Sequence, residues 1–530
     1  MKAEWIDFIV VGLYVAGLIA VSWYTRKKSK SVNDFLLTDK GVGGVMAAFA
    51  YGVTYFSAVI FIGYAGKNGY VFGLSSLWIG IGNAIFGSLL AWLVLGKRTH
   101  RMTRFYGART MPELFEKRYG SKHLKLISAL IIFVFLVPYA ASVYQGLGAL
   151  FELFFGIDFW VVVLIMAALT AVYLFFGGYL ATVLTDFFQG IIMVFGVVVM
   201  VGFVVNAEAV GGITEGIGKL FSDGQGFFPA FATDSGAPLG YTLLMLILLT
   251  SFGVWGMPQM VHKFHTVRNE TAIKQATYVS TGIALVIGVC AYFVGCFARY
   301  ILSPEEVLHL ISTQQEDQII PMVLNETLVP GLFGLIAILV MSASMSTLAS
   351  LTLIGSSAVS VDLYKGYIKK DAPEKNVKLL MRILCVVFVG ISVVIAVFKP
   401  TGIVELMSLS WGTIAGCFLA PYIYGLYSKK ATKQSAYASI ITGISITALL
   451  YVTSLLLPAA IRAWMSPPAI GVAAMVVSMI VTPIVSHFTK SPQGVRVTEL
   501  FDEFKKNTAE LEARAPHPEQ SVAEEPSDAV

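Results

Sequence analysis

Apolar residues run in blocks of about 20 along most of the 530-residue chain, and Lys, Arg, Asp and Glu crowd into the short stretches between them. A hydrocarbon core about 30 Å thick takes about 20 apolar residues per crossing helix. The pattern therefore predicts an all-α integral membrane protein with thirteen spans, near 5–24, 42–66, 73–96, 126–154, 158–177, 184–206, 240–262, 276–302, 329–360, 378–398, 403–427, 436–457 and 468–488. The first block follows Met1–Glu4, with no basic lead-in and no small-residue cleavage site, and reads as a retained helix rather than a signal peptide. The stretch 489–530 is polar and carries Pro516, Pro518 and Pro526, so a short interfacial helix followed by a disordered cytoplasmic tail is expected there.

Short cytoplasmic loops carry an excess of Lys and Arg. Arg26, Lys27, Lys28 and Lys30 follow the first span, and a run from Lys97 to Lys125 follows the third. Lys263, Arg268 and Lys274 follow the seventh, Lys365, Lys369, Lys370 and Lys375 the ninth, and Lys429, Lys430 and Lys433 the eleventh. The alternate connections are nearly bare, since 207–239 holds only Lys219 and 303–328 holds no Lys or Arg. Every strongly basic connection is odd-numbered, which predicts an outside N-terminus and, with thirteen spans, a cytoplasmic C-terminus in the cell (inner) membrane.

Composition agrees: 56% of residues are hydrophobic and 13% charged, against about 25% charged in a soluble domain. The net charge of +5 sits in helix-flanking loops, so it is not a nucleic-acid footprint. Cys290, Cys296, Cys385 and Cys417 all lie in apolar stretches without metal-ligand spacing and read as small helix residues.

Two spans look interrupted. The second, MAAFAYGVTYFSAVIFIGYAG (46–66), places Gly52, Val53, Thr54 and Ser57 at mid-membrane. The seventh, LLTSFGVWGMPQMV (248–261), gathers Gly253, Gly256 and Pro258. A proline there removes a backbone donor and frees a carbonyl, and a broken helix survives in lipid only where it lines a cavity or packs inside protein. Each alone also reads as a kink satisfied by its neighbours. The pair says more, because the two lie five spans apart. They divide the chain into a first helix and cytoplasmic loop (1–41), a five-helix repeat (42–206), an extracellular loop (207–239), a second five-helix repeat (240–427), two further spans (428–488) and the tail (489–530). Five is odd, so the repeats are inverted, and interrupted helices at matching positions of inverted repeats point to a transporter's midplane site.

The ninth span, LVMSASMSTLASLTLIGSSAVSVDLY (339–364), supplies a third element in Ser342, Ser344, Ser346, Thr347 and Ser350. Such hydroxyls either let helices approach closely or, as at Ser346 and Thr347, offer adjacent oxygens to a hard cation. Asp186 falls at the start of the sixth span, where it is either functional or a helix-terminal charge. Glu405 begins the eleventh span in the same way and leans structural. His262, His265 and His309 sit at helix edges or in loops, and the spans hold no Ser/His/Asp group or acid dyad, which argues against an enzyme.

These residues resemble the sodium:solute symporter family over about 5–490. The likeness is carried by YFxxxxFIGYAG in the second span, FGGYLATVLTDFFQG (176–190), and MSTL followed by SSAVSVDLY in the ninth. The resemblance implies a leucine-transporter-type fold with a 5+5 inverted repeat and a Na+ held by the carbonyls of Val53, Phe56 and Ala343 and the hydroxyls of Ser346 and Thr347. Some members hold a second sodium with paired serines and the acid matching Asp186. Here that pair reads Ala349 and Ser350, so one sodium per cycle is expected. The chain looks closest to the proline and pantothenate branch. It has Tyr55 where proline carriers have an aspartate, and Thr250 and Val254 where they have aromatic residues. SFGVWGMPQ (251–259) is nearer the pantothenate type, which disfavours proline itself.

The expected solute is a small carboxylate, pantothenate-like or amino-acid-like, with a sugar or polyol, or a proton-coupled carrier, as the alternative. Its pocket is expected from Thr54, Tyr55 and Ser57, from Ser142, Tyr144 and Gln145 on the fourth span, and from Trp255, Pro258 and Gln259. A half-helix N-terminus there suits a carboxylate. Expected partners are the solute, sodium ion and membrane lipid, with no nucleic acid; a monomer suffices. A channel is disfavoured by the lack of a filter-like repeat, and a sensor by the short tail.

Overall fold

The computed structural model describes residues 3–25, 32, 36, 37, 41–228, 238–489 and 495–504. Among them, eleven helices are long and apolar enough to cross a membrane. Two are too long for one crossing: Val59–Tyr106 has 48 residues and Phe159–Val205 has 47, about 70 Å of helix against a hydrocarbon core of about 30 Å. Gly178 divides the second run, with φ 64° and ψ −165°, a conformation essentially confined to glycine. The first run joins the second half of the second span to the third. Counting each long run twice restores thirteen crossings. The basic cluster at 26–30 and the tail beyond residue 504 lie outside the described residues.

Both interruptions fall where the sequence places them. The second span runs as helix over Gly44–Tyr55, turns extended at Phe56 (φ −104°, ψ 110°), and resumes over Val59–Tyr64 and Ala65–Phe72. The seventh is helix over Leu239–Gly253, tightens over Val254–Gly256, turns extended at Met257 (φ −80°, ψ 121°), and restarts over Pro258–Thr266 with the proline in the first turn. That position tolerates proline because its missing N–H had no helical partner anyway. The two broken helices run in opposite senses. The amide of Val42, at the entry to one, donates to the carbonyl of Thr266, at the exit of the other (2.8 Å), and the Arg268 amide donates back to Val42 (2.9 Å).

The ninth span, Phe333–Ser357, is buried on all sides. It packs against the fourth (Lys122–Phe155), the paired fifth and sixth, and the first half of the second. Helices close through small residues, as lipid-embedded helices do. A Cβ on Gly69 would lie 2.3 Å from the Gly295 backbone, and one on Gly443 2.5 Å from Gly416. Near the tail, Val495–Glu503 is a helix with Leu500 buried, and Arg118 and Lys429 face the Phe501 ring.

Candidate functional site

Helical geometry pairs each carbonyl with the amide four residues on, and the extended Phe56 carries the next amides away from Val53 and Thr54. The freed carbonyls meet the ninth span. The Ser346 hydroxyl reaches the carbonyls of Val53 and Ala343, both at 3.1 Å. The Thr347 hydroxyl reaches those of Thr54 and Ala343, also at 3.1 Å. Both side chains are fully buried. Two hydroxyls and three carbonyls thus converge without any ionised side chain. Four of the five expected residues take part. The Phe56 carbonyl is not hydrogen-bonded to either hydroxyl, whereas the Thr54 carbonyl is.

Of the pocket residues, Tyr55 does the most bridging. Its hydroxyl donates to the Thr250 carbonyl (2.8 Å), tying one broken helix to the other, and its ring stacks with Trp411 at 6.3 Å. The Thr250 hydroxyl in turn bonds Asn83 Oδ1 (2.8 Å), as does Ser251 (3.1 Å). Trp255 Nε1 donates to the Phe86 carbonyl at 2.9 Å. The Thr54 hydroxyl lies 3.2 Å from that of Ser350. Ser57 turns its hydroxyl to the Val59 amide (3.3 Å), and Ser142 donates to Tyr139 in its own helix (2.7 Å). Tyr144 is buried, and Pro258 opens the restarted half-helix. Gln145 is buried with both amide atoms unpartnered, and Gln259 Oε1 is likewise unpartnered. Gln145 lies next to Gly146, whose Cβ would meet the Ala58 side chain at 2.8 Å, so an unsatisfied amide borders the break.

Three groups escape the sequence reading. Asn83 accepts from the hydroxyls of Thr250 and Ser251 on the seventh span, and a lone amide within an apolar run was the available signal. Trp411 stacks on Tyr55 and meets Tyr139 edge-on at 5.7 Å. Lys263 is the third, and here the expectation is corrected. The residue belongs to no surface loop; it is 1% exposed inside the half-helix Pro258–Thr266. Its ammonium lies 3.3 Å from Asp186 Oδ2 and donates to the Ser350 hydroxyl at 3.3 Å. Asp186 is also no helix-terminal charge. It lies about two turns past Gly178, wholly buried.

Charged contacts close both ends of the bundle. At the end carrying residues 303–332, Lys67 pairs with Glu316 (2.7 Å) and Glu405 (3.2 Å), and the Ile403 amide donates to Asp317 (3.2 Å). At the other, Thr110 donates to Asp362 (2.7 Å) and Lys125 pairs with Glu116 (3.0 Å).

A family model for the sodium:solute symporter family matches residues 35–443. The osmoregulated proline transporter OpuE of Bacillus subtilis is 29% identical over 91% of this chain and 95% of its own length. A sodium/proline symporter of Haemophilus influenzae is 28% identical over 82% of this chain and 86% of its own. Among solved structures, that of a Na+-coupled sialic acid symporter in a substrate-bound outward-open state superposes with a TM-score of 0.77 at 18% identity, covering 92% of this chain and 98% of that one. Mhp1, a nucleobase-cation-symport-1 transporter in a closed conformation, gives 0.54 at 13%, covering 88% of this chain and 98% of its own. These likenesses establish the leucine-transporter-type fold. With a family match across most of its length, and a buried oxygen cluster at one of two opposed broken helices, the chain belongs to the sodium:solute symporter family: a multi-pass membrane protein that couples movement of an organic solute to Na+, and no enzyme.

Proposed function

We propose that the chain imports a small amino-acid-like carboxylate, proline or a close analogue, with one sodium ion per cycle, in a cell membrane with the N-terminus outside and the C-terminus cytoplasmic. The observation that carries the reading is the pair of hydroxyls, Ser346 and Thr347, seated on carbonyls released by the break at Phe56. Hard cations take oxygen ligands. On ion entry the hydroxyls turn lone pairs inward, and the carbonyls of Val53, Thr54 and Ala343 exchange a hydroxyl proton for the ion. The ion then bonds the second span to the ninth and stabilises the substrate-competent arrangement, a linkage that is reciprocal. The Lys/Arg bias of the connections supports the orientation.

For the solute, the named relatives are proline carriers, while Tyr55, Thr250 and Val254 depart from what the resemblance leads one to expect of such carriers. The geometry eases this conflict. Tyr55 spends its hydroxyl on the Thr250 carbonyl, so the change alters a brace between the broken helices and leaves recognition to the unpartnered amide atoms of Gln145 and Gln259. The named relatives give pantothenate no comparable support.

One sodium moving through about 100 mV supplies about 2.3 kcal/mol, and a tenfold gradient about 1.4 more, enough to accumulate a neutral zwitterion about 500-fold. Purified protein in sealed liposomes, given an inward sodium gradient, should take up proline or a near analogue with one charge per solute. Equal uptake with choline on both sides would overturn the ion reading. Strong competition by pantothenate but none by proline would overturn the solute reading.

A further inference from the structure

A lysine and an aspartate wholly buried inside a helix bundle are costly unless each answers the other. Lys263 and Asp186 do so only partly: the ammonium lies 3.3 Å from one carboxylate oxygen, and the other, Oδ1, is buried without a partner. The ammonium makes its second bond to Ser350 (3.3 Å), whose hydroxyl lies 3.2 Å from that of Thr54. Thr54 belongs to the break itself, and its carbonyl takes the Thr347 hydroxyl. Two oxygens, Asp186 Oδ2 and the Ser350 hydroxyl, thus meet the positive charge, and the Thr54 hydroxyl next to Ser350 links them to the break that carries the proposed sodium shell. The Tyr179 ring faces that charge from 5.6 Å.

We propose that the Lys263 ammonium is a tethered cation filling a second cation position formed by Asp186, Ser350 and Thr54, and that it thereby holds the carrier at one sodium per cycle. The inference rests on the sodium reading above and extends it. A covalently held ammonium brings the charge a second ion would bring, but it cannot be carried across and released. It answers one oxygen of Asp186 while adding nothing to the driving force. The same contact ties the half-helix Pro258–Thr266 to the ninth span, so the tether joins both broken helices to one helix.

Counting bound 22Na+ per purified full-length chain, with the Hill coefficient of sodium-dependent thermal stabilisation, tests this. The wild type should bind one ion with a coefficient near 1. Lys263→Ala should bind two, with a coefficient rising towards 2, and should depend more steeply on sodium for its stability. Lys263→Ala combined with Asp186→Asn should return to one. In liposomes Lys263→Ala should move about one extra charge per solute. A wild type that binds two ions, or a Lys263→Ala chain that binds one with unchanged sodium dependence, overturns the tether and leaves the first site standing. Unfolding of Lys263→Ala even in saturating sodium, while the Lys263→Met/Asp186→Asn pair folds, also overturns it, since sodium would then have failed to replace the ammonium. A wild type that binds no sodium removes the underlying ion reading instead.

Discussion

The two broken helices look alike in outline and are held open by different means. At the seventh span the break is local: the Met257 amide closes a tight turn on Val254 (3.2 Å), the amides of Met260 and Val261 restart the helix on Met257 (both 3.0 Å), and Pro258 sits where a helix start tolerates it. At the second span no proline is present, and the carbonyls of Val53 and Thr54 depend on hydroxyls from a helix some 290 residues later (|i−j| 293). A break that satisfies itself is a fixed hinge. One that borrows its partners can exchange them for an ion. That difference explains why the oxygen cluster lies at one break and not at the other.

The sharpest way to break the comparison is to remove the borrowed partners. Ser346→Ala and Thr347→Val should each weaken sodium affinity about 10- to 150-fold, the worth of a bond to a charged group, read from the sodium dependence of thermal stability; unchanged affinity in both would mean the cluster is only helix packing. Next comes Gly256→Ala. Its Cβ would sit 3.0 Å from Ala415 Cα and 3.2 Å from the Leu419 amide, so overpacking should cost about 1–3 kcal/mol of stability with sodium affinity kept.

Pro258→Ala should do less, about 1 kcal/mol or under, because the turn at Met257 is closed by its own amides. Loss of sodium binding in that variant would show that the proline, not the local turn, keeps the helix open. A separate test lies away from both breaks, in the connection before Phe333. Burial pushes the Asp317 carboxyl up from 3.8 to about 7, with Glu405 and Glu316 adding to the rise and the Ile403 amide and Lys67 opposing it. A raised acid pKa means the folded chain binds the proton more tightly than the unfolded one. Stability is therefore greatest below about 4 and falls as pH climbs towards 7. Thermal melts from pH 4 to 8 should show that decline, and Asp317→Asn should flatten it.

Much of the fold was legible because lipid enforces it. Span length and the two interruptions each reflect a requirement acting on a short piece of chain, and the kinks at Phe56 and Met257 fall inside the segments singled out. Span edges were less so: the second helix runs on to Phe72 and the eighth begins at Glu270, since the bilayer sets a minimum length but not where a helix stops in water. Ser346 and Thr347 were visible as neighbouring hydroxyls in an apolar run. Lys263 was not, because a lysine at the edge of an apolar block reads as a loop charge until a buried carboxylate from another helix is seen beside it. Asp186 was misplaced for a related reason, as Gly178 starts its helix earlier than the hydropathy edge suggests.

By itself the sequence determined the membrane class, the helical inventory and the places where helices fail. All of these follow from hydropathy and backbone hydrogen bonding over roughly 20 residues. Tertiary structure alone decided which freed carbonyl meets which hydroxyl, that Tyr55 braces one broken helix against the other, and that a lysine and an aspartate 77 residues apart share one buried cage. Those pairings depend on how helices cross, and a crossing is set by side chains packing across hundreds of intervening residues rather than by any local run.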